Sequence, residues 1–126
     1  MTESAGPERS SSGADEPIPA PMPIVVEVHA EDEPGCWIIH VSGEIDVATS
    51  PDLRQALREV GDRARRVTVD LSKTSFIDSS GLGVLVGACR HAREQGHEGV
   101  RLQGLQEPVR RVFEITGLTE LFTVER

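Results

Sequence analysis

Asp78, Ser79 and Ser80, followed at once by Gly81 and Gly83, have the residue types and spacing best suited to chemistry in this chain. An acid and two hydroxyls ahead of an apolar-periodic run mark a helix start. A side-chain oxygen there accepts from a backbone N–H that the first turn leaves unpaired. Leu82, Leu85, Val86 and Cys89 then fall at i, i+3, i+4 and i+7, one face of an amphipathic helix. A cap needs only one serine. The second hydroxyl, with glycines that keep the first turn uncluttered, makes the place approachable. The positive end of a helix also tolerates a dianion, so a phosphate on Ser79 or Ser80 would be locally stable.

Catalytic patterns fit this stretch poorly. Gly81-Leu82-Gly83 with Gly87 has the outline of a dinucleotide loop, but a long turn precedes it and no acid stands at the ribose distance. No glycine lies two residues before either serine, as a hydrolase elbow requires, and there is no phosphate-binding P-loop. The chain therefore reads as a non-enzyme, with no catalytic residue and no cofactor. A nucleotide-binding α/β protein using the same helix start is the alternative from another class. Cys36 and Cys89 do not form a C-x-x-C pair and read as small hydrophobes. His29, His40, His91 and His97 lack the spacing of a metal site and are expected on the surface.

A length of 126 residues suits one domain with a single core. The net charge of −8 argues against nucleic acid, whose recognition needs a basic face, and favours a neutral or basic protein partner. No apolar run is long enough to cross a bilayer and no signal-peptide pattern opens the chain. A cytoplasmic protein without a membrane partner is expected. Residues 1–23 are rich in Ser, Pro, Gly and acids, with little to bury against the entropy of ordering, and read as a disordered tail. The domain is expected over residues 24–126.

Within it, Ile24 to Val28 and Trp37 to Ser42 read as strands joined by the acidic turn at residues 31–35, an antiparallel pair. Pro51 with Asp52 opens a helix expected to run to about Ala64. A short strand, Val67 to Leu71, ends before a turn through Lys73 and Thr74, which leads to the Asp78 helix ending near Gln95 and Gly96. A strand at Val100 to Leu102, a helix from about Leu105 to Gly117 and a last strand at Leu121 to Val124 complete the chain. The order β-β-α-β-α-β-α-β predicts a single α/β domain, a mixed, mostly parallel sheet with helices packed on it and right-handed crossovers. Helix starts at the carboxyl ends of parallel strands gather at one edge, so residues 43–46 and 75–80 should be neighbours.

The segment DLSKTSFIDSSGLGVLV at residues 70–86 resembles the signature of the anti-sigma factor antagonists, the small bacterial proteins that define the STAS domain. Ser42-Gly43-Glu44-Ile45-Asp46 is similar to that family's second-strand exit, and residues 112–118 to its last helix. The resemblance covers roughly residues 24–124. It implies that the unphosphorylated protein binds an anti-sigma factor that is also a serine kinase, which frees a sigma factor. It also implies that phosphorylation ends the binding and a PP2C-type phosphatase restores it. The family's modified serine matches Ser79, and the partner-binding surface is expected to comprise Asp46, Glu44, Asp78, Ser80, Gly81 and Gly83. A STAS component of a larger stress-signalling or transport assembly is the runner-up reading.

Overall fold

The computed structural model describes residues 23–125; but for Pro23, the tail expected over residues 1–23 lies outside them. The elements are β1 (Val25–Ala30), β2 (Cys36–Ile45), α1 (Ser50–Val60), β3 (Arg66–Ile77), α2 (Ser79–Glu94), β4 (Val100–Gln103), α3 (Glu107–Thr116) and β5 (Thr123–Glu125). Short 3-10 turns follow α1 and α3. The predicted order holds. The five strands form one sheet in chain order, β1 antiparallel to β2 and the remaining neighbours parallel.

Local sequence accounts for the helix ends. Pro51 sits in the first turn of α1 with Asp52 beside it, and Pro108 does the same for α3 beside Glu107, fixed φ and negative charge both suiting a helix start. Gly117, left-handed at φ +73°, closes α3 as expected. The core gathers Ile39, Val41 and Ile45 of β2, Val69, Leu71 and Ile77 of β3, and Leu102 of β4. Against them pack Leu53 and Val60 of α1, Leu82, Leu85 and Cys89 of α2, and Phe113 of α3. Phe113 meets Phe122 edge to face at 5.6 Å.

The central strands are longer than predicted. β2 continues past Ser42 to Ile45, and β3 does not end at Leu71 but runs on to Ile77, so Lys73 and Thr74 are strand and not turn. The reason lies in the register. His40 faces Asp70 but Ser42 faces Lys73, and Gly43 faces Thr74 but Glu44 faces Phe76, so β3 carries an extra residue at each step. Two such bulges place Leu71, Thr74 and Ile77 in the core at a spacing of three, where an even strand would use two. Thr74 can sit there because its hydroxyl donates to the Val41 carbonyl at 2.9 Å.

Helix α1 stops at Val60, not Ala64; Gly61 adopts φ +58° and the chain tightens into a 3-10 turn. The last strand starts at Thr123, after a 3-10 turn at Leu118–Glu120. Both cysteines are buried and free, as small hydrophobes. His29 and His91 are exposed, but His97 is half-buried, and His40 is half-buried and held by Asp70 at 2.9 Å across β2 and β3.

Candidate functional site

The carboxyl ends of β2 and β3 lie side by side, Glu44 opposite Phe76 and Ile45 opposite Ile77. The Asp78 N–H donates to the Ile45 carbonyl at 3.1 Å, tying the start of α2 to the end of β2. Residues 43–46 and 75–80 are thus the neighbours that the strand order predicts.

Asp78, not a serine, is the N-cap of α2. Its Oδ1 accepts the backbone N–H of Ser80 at 2.9 Å and of Gly81 at 3.3 Å, and also the Ser80 hydroxyl. The Ser80 hydroxyl bond, joined by the Ser80 and Gly81 N–H groups and opposed by partial desolvation, holds the Asp78 carboxyl below its ordinary range. Asp78 is therefore a carboxylate at neutral pH, fastened to the helix start. Ser80 is half-buried and engaged, whereas Ser79 is exposed and its hydroxyl has no hydrogen-bond partner among the described residues.

Asp46 shapes the loop from β2 to α1. Its Oδ1 accepts the backbone N–H groups of Ala48 and Thr49, each at 3.0 Å. Its own N–H donates to Thr49 Oγ1 at 2.9 Å, and the Thr49 hydroxyl donates on to the Glu44 carbonyl at 2.8 Å. Thr49 is only 4% exposed, and these bonds satisfy it. Glu44 is exposed on the same edge and Asp46 half-buried.

The two glycines differ. Gly81 is buried: a Cβ there would fall 2.5 Å from Ile45 Cγ2 and 2.8 Å from Ile77 Cγ1, so its missing side chain lets α2 pack onto the ends of β2 and β3 and leaves almost no surface for approach. Gly83 is exposed with open space around it, one turn further along α2.

Two residues that the sequence reading did not single out join the edge. Val47 is 76% exposed and Phe76 47% exposed, both large apolar groups turned to solvent beside Asp46 and opposite Glu44. The signal for Val47 was an apolar residue inside a loop closed by Asp46 and Thr49. Phe76 was hidden by the second bulge, since plain alternation with Thr74 would have put it in the core. The edge is acidic, with an exposed serine hydroxyl and two apolar knobs.

The STAS domain model matches residues 27–126. The chain is 38% identical over 105 residues to an anti-sigma-B factor antagonist of Listeria monocytogenes, covering 82% of this chain and 90% of that one. A crystal structure of an anti-sigma factor antagonist from Mycobacterium paratuberculosis superposes with a TM-score of 0.68 at 32% identity, over 80% of this chain and 84% of that one. The fold alone is shared with the Bacillus cell fate determinant SpoIIAA in its phosphorylated form, with a TM-score of 0.63 at 19% identity over 81% and 92% of the two chains. The chain belongs to the anti-sigma factor antagonist family of STAS domain proteins.

Proposed function

We propose that this protein is a phosphorylation-switched antagonist whose switch is Ser79. Unmodified, it binds an anti-sigma factor with serine kinase activity through the edge built by Glu44, Asp46, Asp78 and Ser79, with Ser80 holding Asp78 in place and Val47 and Phe76 as apolar anchors. Binding releases a sigma factor, phosphate on Ser79 ends the binding, and a PP2C-type phosphatase restores it, all in the cytoplasm. The protein itself catalyses nothing in this cycle. Among the described residues no helix is long and apolar enough to cross a membrane.

The observation that carries this reading is the contrast within the serine doublet. The Ser79 hydroxyl is exposed and unengaged, ready for a kinase's active site, while the Ser80 hydroxyl is committed to Asp78. The same bonds explain the switch. Asp78 already occupies the N–H groups of Ser80 and Gly81 that would otherwise cradle an anion at the helix start. A phosphoryl group, bringing about −1.5 to −2 charges, therefore meets a fixed carboxylate, with Glu44 and Asp46 close by on the same edge. Like charge at a docking surface rejects a partner without refolding the domain. That a structural relative, SpoIIAA, exists in a phosphorylated form agrees with this reading.

The test is a pull-down of bacterial lysate on the unmodified protein and on Ser79→Asp, with the captured chains identified. The unmodified protein should retain an anti-sigma factor kinase and Ser79→Asp should retain markedly less. Equal capture by both overturns the assignment of the switch.

A further inference from the structure

A cavity of about 550 Å³ forms a groove between α1 and α2 on their flank. Its floor is aliphatic, made by Leu57, Val67, Val84, Ala88 and Val100, and the imidazoles of His91 and His97 also line it. That size is in the range of small-molecule sites. Three further observations bear on its use.

Gly83 and Gly87 stand one turn apart on α2, in the groove wall, and a Cβ at either would meet nothing within 4 Å. Unlike Gly81, they answer no packing demand of the fold, and each weakens the helix relative to alanine. Their effect is a smooth open trench. On the facing wall, Arg54 and Arg58 stand one turn apart on α1, a like-charged pair that is unfavourable on a bare helix. Neither belongs to an ion pair among the described residues. The one acid in the lining, Asp62, is held by His91 at 2.9 Å, which links the turn after α1 to α2.

We propose that this groove binds a small aliphatic carboxylate, its chain along the trench of Gly83 and Gly87 and its carboxylate on Arg54 and Arg58. An aliphatic floor takes a saturated chain by burial of apolar area. Two adjacent guanidinium groups bind a carboxylate with charge-assisted hydrogen bonds and relieve their own repulsion. Of the residues expected on the partner surface only Gly83 lines this groove, and neither arginine belongs to that surface.

Isothermal titration of the full chain with decanoate, with decanol and acetate as comparisons, tests it. Decanoate should bind saturably, and decanol and acetate much more weakly. Gly87→Leu, which fills the trench with a better helix former, should abolish binding while leaving the melting temperature unchanged or raised. Arg54→Ala with Arg58→Ala should weaken decanoate about tenfold or more and leave the weak decanol signal alone. No saturable decanoate binding, equal binding of decanol, or binding that survives either change overturns the proposal.

Discussion

The carboxylate of Asp78 accepts both the backbone N–H and the hydroxyl of Ser80, so the residues on either side of Ser79 are tied to one another and the serine between them is left exposed. One short hydrogen-bonded loop thereby assigns different work to two adjacent identical residues. Ser80 holds the cap in place, and Ser79 faces outward at the first position of α2.

Asp78→Ala should lower stability by about 1 kcal/mol, the usual cost of losing an N-cap side chain. The effect should depend on pH in a definite sense. Because the folded carboxyl titrates below its unfolded value, the contribution is fully present above the unfolded value of about 4 and is lost as pH falls through the folded one. Urea titrations of wild type and Asp78→Ala should differ at pH 6 and converge toward pH 2. A constant difference across that range would mean that Asp78 acts through something other than its charge.

The two glycines at the start of α2 should respond oppositely to alanine. Gly81→Ala forces a Cβ into Ile45 and Ile77 and should destabilise by about 1–3 kcal/mol, as overpacking does. Gly83→Ala meets open space and should stabilise by about 0.4–1 kcal/mol, through a less flexible unfolded chain and better helix propensity. Denaturant midpoints of the two variants should move to opposite sides of wild type.

Leu85 is fully buried in the middle of the inward face of α2, so Leu85→Ala should cost about 2–5 kcal/mol. Chemical denaturation measures it. A cost below 1 kcal/mol would contradict the packing of α2 on the sheet.

Element order, sheet class and the α2 face were legible because each rests on a local signal: Pro51 and Pro108 at helix starts, Gly117 at a helix end, Leu82, Leu85 and Cys89 at helical spacing. The end of β3 was not legible. Its two bulges are imposed by pairing with β2, and they replace a period of two by inward residues at Leu71, Thr74 and Ile77, a pattern indistinguishable in sequence from a broken strand. The same displacement turned Phe76 outward unannounced. Gly81 was read as an opening because a glycine near a site suggests approach; only the three-dimensional meeting with Ile45 shows that it serves packing. Asp46 is half-buried and its carboxylate holds the N–H groups of Ala48 and Thr49, a loop bond that no spacing in the sequence announced.

The tail offers a contrast at a single junction. Ile24 is 7% exposed and packs against Gly43, so among the described residues the first anchoring side chain is Ile24. Deleting residues 1–22 should leave the melting temperature nearly unchanged, while deleting residues 1–24 should lower it by several degrees. Thermal unfolding of both truncations checks this, and a drop already in the shorter deletion would show that the tail packs on the domain.

Phosphosite mapping after reaction with the cognate anti-sigma factor kinase tests the central claim most directly. Wild type and Ser80→Ala should each gain one phosphate on Ser79, and Ser79→Ala should gain none while still folding and still binding the kinase. Phosphate on Ser80 with Ser79 untouched, or phosphate on neither residue, would contradict the account.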